Sequence, residues 1–301
     1  MHIIFYQFSL MATIQILEVK EILIYKFVMD YIEEREASGR ITGQIKLHQK
    51  EDFDGMRKVG RLAAQLLDLF VKEVKPGITT EALDKIAVEF TLDNNAISAP
   101  LNYRGFKKSI CTSVNHVVCH GIPGDKVLNE GDIVNIDVTL ILDGWHGDSS
   151  RMYCAGDPSI KSKRLINTTY ESLASSLKLI KPGFLLGDLG SYIQKYAEDR
   201  GFSVVREFCG HGIGRIFHDE PNILHYGVEG TGVEIKEGMF FTVEPMVNIG
   251  KPGTKMLSDG WTAVTRDRSL SAQFEHSIGV TSDGIEIFTE SLNNTGNPIA
   301  S

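Results

Sequence analysis

Two aspartates, Asp137 and Asp148, flank the dipeptide Asp143-Gly144, and this pattern predicts that their carboxylates meet in space. Residues 132–141 alternate apolar and polar side chains as a strand does, and Asp-Gly is a strong signal for a two-residue hairpin turn. With that turn Thr139 pairs with Asp148, so Asp148 lies diagonally across from Asp137 on one sheet face, at a Cα separation of roughly 7–8 Å. Two bare carboxylates at this spacing repel each other, so one keeps a proton or a cation lies between them. For this pair alone, a solvated sheet face with two acidic residues is the simpler interpretation.

Three more potential metal ligands follow along the chain. Glu244 ends the predicted strand 240–244, Glu275 lies in the predicted alternating strand 273–278, and His211 stands between two glycines that let backbone and ligands approach closely. A lone histidine in a Gly-rich turn is more often structural. Four carboxylates with one imidazole nevertheless suit two divalent ions, and this donor set fits Mn, Fe, Co or Zn without choosing among them. Paired ions of this kind activate a shared water as a nucleophile, so the sequence predicts a metal-dependent hydrolase.

The elements that must position these side chains occur twice. Amphipathic helices are predicted in two pairs, and the tripeptide Lys-Pro-Gly ends the first helix of each pair. Downstream of the pairs, residues 130–137 resemble residues 237–244 at nearly the same offset, which indicates a duplicated helix–helix–strand unit; chance similarity is the alternative. We therefore predict an α+β fold of two halves related by a pseudo-twofold axis around a central antiparallel sheet, with the site in the cleft. The predicted helices span residues 51–74, 80–93, 161–180 and 187–200.

The composition limits the class of protein. The 301 residues are 42% hydrophobic and 23% charged, which is typical of a globular protein, and the net charge of −8 argues against nucleic-acid binding. No run reaches the roughly 18 apolar residues that a membrane helix needs. The four cysteines show no C-x-x-C spacing and do not resemble a disulfide framework, so we expect a reducing compartment.

The N-terminal segment is unusual for its composition. Residues 1–17 are largely apolar, yet the segment has neither the basic start and cleavage site of a secretory signal nor the acid-poor composition of a transit peptide. Met11 and Met29 are alternative starts, and a poorly ordered terminus or a docking arm are further interpretations. We predict three regions: an N-terminal extension (1–47), a catalytic domain (48–290) and a C-terminal tail (291–301).

The motifs around the candidate ligands resemble those of methionine aminopeptidase. The resemblance runs from about residue 50 to 290. The chain is similar to type I of the family, because the long insertion of type II is missing. No cysteine precedes residue 111, so the zinc-binding extension of eukaryotic type I members is not expected. It implies a bacterial-type or organellar enzyme with the pita-bread fold, which removes N-terminal methionine from nascent proteins and prefers a small second residue. The matching motifs are residues 135–139, 210–214, 242–245, 259–261 and 269–276.

The resemblance also implies a role for each ligand. Asp137 would bind one metal only, Asp148 and Glu275 would bridge both, and His211 and Glu244 would complete the second site. Glu244 would also move a proton from the attacking water to the leaving amine.

Two further histidines and an apolar pocket match family positions. His120 would contact the substrate near the scissile amide and His218 near the scissile carbonyl, although a structural role is the alternative for each. Pro100 stands where some members have a cysteine. Without the resemblance, the aromatic and apolar residues would be interpreted as core. The predicted substrate pocket consists of Tyr103, Phe106, Cys111, Phe217 and Trp261.

The remaining expectations concern partners and rivals. The resemblance implies two divalent metal ions, nascent polypeptide N-termini as substrate, transient ribosome association, a monomer, and a cytoplasmic location without membrane or nucleic acid. One rival is a proline-specific enzyme of the same fold, an aminopeptidase P or a prolidase, which usually carries a large extra N-terminal domain. Another is a binding protein that kept the fold and lost its metals.

Overall fold

A computed structural model describes residues 30–35, 41–293 and 296–297 of the chain. Within these ranges four α-helices and a set of antiparallel strands repeat the predicted order of helix pair followed by strands. The helices are α1 (Asp52–Glu73), α2 (Thr80–Asp93), α3 (Ile160–Leu177) and α4 (Leu186–Glu198). The strands are β1 (Tyr31–Arg35), β2 (Ile41–Lys46), β3 (Ile97–Ser98), β4 (Cys111–Val114), β5 (Val117–Cys119), β6 (Ile133–Leu142), β7 (Trp145–Cys154), β8 (Ser203–Val204), β9 (Gly210–Gly212), β10 (Asp219–Ile223), β11 (Phe240–Val243), β12 (Met246–Asn248), β13 (Thr254–Met256), β14 (Ala263–Thr265), β15 (Ser271–Gln273), β16 (His276–Val280) and β17 (Ile285–Ile287).

The helices begin and end where local chemistry dictates. The hydroxyl of Thr79 accepts a hydrogen bond from Ala82 N (3.1 Å) at the start of α2, and Ser159 does the same for Ser162 N (3.2 Å) at the start of α3. Helix α1 ends before the Lys-Pro-Gly tripeptide, whose glycine, Gly77, has a φ of 94°. The predicted pairs of helices are therefore confirmed to within a few residues at their ends.

The hairpin of β6 and β7 has the predicted register. Asp143 and Gly144 form the turn with φ of 52° and 79°, and Leu142 pairs with Trp145. Thr139 consequently lies opposite Asp148. On the other side, β6 pairs with β4 and β3, so the hairpin is the centre of the first half.

One predicted strand is wrong. Residues 273–278 do not form one strand, because β15 ends at Gln273 and β16 begins at His276 in a different sheet. Their partners break at the same place: β11 pairs with β16, β12 pairs with β15, and Pro245 between β11 and β12 has no N–H to continue a ladder. The intervening Glu275 instead donates its N–H to Ser150 O (3.0 Å) of β7.

Two large apolar cores, besides one small cluster, lie in the described part of the chain. The first packs α1 against β6 and β7, and the second packs α3 and α4 against strands of the second half. Ile45 of the β1–β2 hairpin belongs to the second core, and the His48 ring stacks on Phe240 with centroids 4.0 Å apart. Among the described residues no helix has the length and apolarity to cross a membrane. Most of the predicted extension 1–47 lies outside the described residues, and the division into three regions stays a prediction.

Candidate active site

One cavity of about 400 Å³ brings together every side chain that the sequence analysis singled out. All five predicted ligands line it, and so do both predicted substrate histidines and Pro100. The five predicted pocket residues also line it, namely Tyr103, Phe106, Cys111, Phe217 and Trp261.

The central hairpin presents the first two carboxylates. Asp137 lies on β6 opposite Ser150, and Asp148 lies on β7 opposite Thr139, so the two aspartates share one face of the sheet. The Thr139 hydroxyl donates to Asp148 Oδ1 (2.8 Å), which fixes the orientation of this carboxylate. Cys111 of β4 lies opposite Asp137 and completes the wall on that side.

His211 and Glu244 are joined through one threonine. The Thr242 hydroxyl accepts a hydrogen bond from His211 N (3.0 Å) and donates one to Glu244 Oε1 (2.8 Å). Gln273 Nε2 donates to the other oxygen, Oε2, at 3.2 Å. The Glu244 backbone N–H donates to Nε2 of the buried His225 (3.0 Å), and burial lowers the pKa of His225 to about 3, so this ring stays neutral and accepts.

Glu275 is attached to the central hairpin by hydrogen bonds on both sides. The Ser149 hydroxyl donates to Glu275 O (2.6 Å), in addition to the bond from Glu275 N to Ser150 O. Two residues on, the Ser277 hydroxyl donates to Asp148 O (2.6 Å) and accepts from Asp148 N (3.3 Å). The segments that carry Asp148 and Glu275 are therefore connected across the two halves.

The donor set fits a divalent metal. Ligand atoms of Asp148, His211 and Glu275 all lie within 4.8 Å of one another. His211 Nε2 is 3.5 Å from Asp148 Oδ2 and 3.8 Å from Glu244 Oε1. Four of the ligands are buried and Asp137 is half-buried. Buried carboxylates at this density, with an imidazole among them, are the oxygen-rich ligation that first-row divalent ions accept.

The pKa values record the same crowding. Burial, then repulsion from neighbouring carboxylates, raises the pKa of Asp137 and Glu275 well above the usual range. Burial also raises the pKa of Glu244 to about 7. For His211 burial acts in the lowering direction, but its hydrogen bond to Asp148 and the Glu244 charge outweigh it and raise the pKa to about 9. A bound cation would replace the protons that these groups otherwise hold.

The two predicted substrate histidines lie on different walls. His120 follows β5 with a φ of 56°, and its ring centre is 5.5 Å from that of Phe208. His218 lies on the loop after β9, exposed to the cavity, with its ring centre 4.3 Å from that of His211. Burial lowers the pKa of His120, and desolvation by its neighbours lowers that of His218, so both rings are neutral at pH 7.

The apolar wall consists of paired rings. Phe106 and Trp261 meet edge to face with centroids 5.1 Å apart, and Tyr103 lies 5.1 Å from Phe217. The His146 ring stacks on Phe217 from behind, at 5.6 Å and 12°. This arrangement forms a preshaped apolar recess next to the ligands, of the kind that accepts a thioether side chain.

Several residues that shape the site were not predicted from the sequence. The sequence predicted that Thr139 pairs with Asp148 but not its hydrogen bond to that carboxylate. Thr242 stands two residues before Glu244, where the strand period of two could have found it. Ser277 stands two residues after Glu275, but the break between β15 and β16 hides the period. His225 has no local signal, because its contact with Glu244 is made across a loop.

Comparison with known proteins agrees with this geometry. The model of metallopeptidase family M24 matches residues 54–282. The methionine aminopeptidase of Rickettsia prowazekii (strain Madrid E) is 61% identical over 246 residues, which cover 81% of this chain and 95% of the relative. That of Escherichia coli (strain K12) is 53% identical over 247 residues, 81% of this chain and 94% of the relative. The crystal structure of the Rickettsia prowazekii enzyme superimposes with a TM-score of 0.81 at 60% identity, covering 82% of this chain and 100% of that chain.

Proposed function

Since the chain belongs to metallopeptidase family M24 and within it to the methionine aminopeptidases, hydrolases that remove N-terminal methionine, we propose how its own residues perform this reaction. The single observation that carries the proposal is the cavity that joins the five ligands to a preshaped apolar recess. The substrate is the first peptide bond of a protein or peptide with a free amino terminus and a small second residue.

We assign two divalent ions to the five ligands. Asp137 would help to hold one ion, His211 and Glu244 would help to hold the other, and Asp148 and Glu275 would contribute to holding both. The crowding of the carboxylates and their raised pKa values support two divalent ions better than one. When bound, such ions supply a nucleophile at neutral pH by lowering the pKa of water to about 7. The donor set accommodates Co, Mn, Fe or Zn.

The protein's own groups bind substrate and handle the protons. The apolar recess takes the methionine side chain and so fixes the scissile bond beside the ligands. His218, neutral at pH 7, donates an N–H toward the scissile carbonyl oxygen as negative charge develops there. Glu244, whose pKa is near 7 before a metal binds, carries the proton from water to the leaving amine, and His120 positions that amine.

Cleavage of matched peptides tests this assignment. Met-Ala-Ser, Leu-Ala-Ser and Ala-Pro-Ser are incubated with the protein and Mn or Co, with a chelated control. We expect metal-dependent release of methionine only. Release from Ala-Pro-Ser would move the chain to the proline-specific branch, and bound metal without release from any peptide would favour a binding protein.

We also propose a setting for the enzyme. It acts in the cytoplasm, as a monomer, on nascent chains, with transient ribosome association, and residues 1–47 and 291–301 flank a catalytic domain of 48–290. The four cysteines are all free, which supports a reducing compartment. Sedimentation of the purified chain, alone and with ribosomes, measures two of these properties: the monomeric state and ribosome binding.

A further inference from the structure

Arg104 is the single lysine or arginine that lines the active-site cavity in the described part of the chain. Its side chain is exposed, with the guanidinium Cζ 5.3 Å from the centre of the Tyr103 ring. The nearby Lys108 pairs with both Glu81 and Asp84. Arg104 makes no such ion pair with a described residue, so its charge is available to a ligand in the cavity mouth.

The backbone at Arg104 points to a role for its side chain. Residues 100–106 form a tight loop in which Tyr103 N donates to Pro100 O (2.9 Å) and Asn102 N to Phe106 O (2.7 Å). Inside this loop Arg104 has a φ of 46° and a ψ of 27°. A left-handed conformation is strained for a residue with a β-carbon; glycine removes that strain, and asparagine tolerates the conformation better than arginine does. An arginine held there is a strained residue beside an active site, which is where such residues acquire functional roles.

The loop places this charge beyond the methionine recess. The Tyr103 ring lies 5.2 Å from that of His218, which in turn lies 4.3 Å from that of the ligand His211. Arg104 therefore lies on the same wall of the cavity as His218, the residue proposed to face the scissile carbonyl, and on the solvent side of that wall. A peptide whose first residue is bound at the ligands runs outward past this wall, at about 3.3 Å per extended residue.

We propose that Arg104 forms a subsite for a carboxylate side chain at the third or fourth residue of the peptide. This inference rests on the proposed function, because it needs the peptide to enter amino end first. The other charged group of the cavity wall outside the ligands, Glu207, already accepts hydrogen bonds from Thr254 N (3.2 Å) and Arg206 N (3.3 Å). An exposed ion pair of this kind changes kcat/KM by about 3-fold and weakens with salt.

Direct competition between two peptides measures the subsite. Met-Ala-Glu-Glu-Ser and Met-Ala-Gln-Gln-Ser, both amidated at the carboxyl end, are mixed with the metal-loaded full-length protein at low ionic strength. We expect the acidic peptide to be favoured by about 3-fold, and the preference to approach unity in about 0.5 M salt. In R104N, which removes the charge and suits the positive φ, the ratio falls to about one. R104K keeps the preference and R104E reverses it.

The exposed Lys107, which does not line the cavity, supplies the control, and K107N should change neither the ratio nor the rate. Equal cleavage of both peptides by the wild type, or a preference retained in R104N, would overturn the subsite. The subsite would also be overturned by a preference that appears only for the unamidated peptide Met-Ala-Gln, because the site would then bind the carboxylate at the end of the chain and not a side chain. If the wild type releases no methionine from the neutral peptide, the proposed function fails instead, so the two failures are distinguishable.

Discussion

The two halves of the molecule supply ligands in different ways. In the first half, Asp137 and Asp148 lie on one long hairpin whose register is set by its own turn. In the second half, His211 lies on the three-residue strand β9, whereas Glu244 and Glu275 follow the ends of β11 and β15, and these side chains depend on hydrogen bonds from other elements. The first pair is encoded locally, whereas the second set is assembled by tertiary contacts.

Replacing Asp148, on the segment that connects the two halves, should have the largest effect. We expect Asp148→Asn to lower metal affinity by at least roughly 100-fold and to abolish activity, since even partners outside the ligand set affect affinity by 10–100-fold. Metal content after gel filtration and methionine release measure both losses. The exposed Asp125, outside the cavity, provides a matched Asp→Asn control, and a D148N protein with two metals and a normal rate would refute the bridging role.

The thermal stability of the metal-free, chelated protein at different pH values tests the crowding of carboxylates from the two halves. The folded pKa of Glu244 is about 7 against about 4.3 unfolded, and the pKa of Asp137 and Glu275 is raised in the same direction. Several desolvated histidines have lowered pKa values, among them His225 at about 3 and His276 at about 4, and they act in the opposite sense below about pH 6.5. Above that pH they are neutral in both states, so the folded state holds more protons and stability falls as pH rises from about 7 to 8. His211, raised to about 9, acts in the same sense above its unfolded value of about 6.5. We expect a Tm lower by roughly 3 °C or more at pH 8 than at pH 7, and a Tm increase on metal addition that grows over the same range. A flat profile between these two pH values would contradict the raised pKa values of the folded state.

The serine link between the halves should have a moderate effect. Ser277→Ala removes both hydrogen bonds to the Asp148 backbone, so we expect metal affinity to fall by about 10-fold and stability by about 1 kcal/mol. Calorimetric titration of metal and urea unfolding measure the two quantities. Ser175→Ala, at a half-buried position on α3 whose hydroxyl donates to Glu171 O of the same helix, should change neither quantity. An S277A protein with unchanged affinity would show that the halves need no such link.

The hairpin turn should show the smallest effect. Gly144→Ala places a β-carbon at a φ of 79°, so we expect a loss of about 1 kcal/mol in stability with little change in activity, because ten pairs hold the register. Gly124→Ala, at a glycine without positive φ or close neighbours, is the control in urea unfolding. A large loss of activity in G144A would mean that the ten pairs do not hold the register once the turn is strained.

Sequence alone predicted the parts of the molecule whose signals are local. The register of Asp148 followed from Asp143-Gly144, the helices from apolar spacing and Lys-Pro-Gly stops, and the α+β pita-bread fold from the duplication and the family resemblance, which the relatives confirm. The break between β15 and β16 around Glu275 was missed because it follows from Pro245, which separates their partner strands β11 and β12. The contact of His225 was missed because no periodicity links residues across a loop.

The late position of Glu275 in the chain has a consequence for biosynthesis. The proposed ligand set is complete only once Glu275 has left the ribosome, and this residue follows the last but two of the described strands. A chain truncated before it would keep Asp137 and Asp148 facing each other without their counterpart. On that assignment, metal capture requires a chain synthesised at least as far as Glu275, and shorter chains would remain the less stable, protease-sensitive fraction.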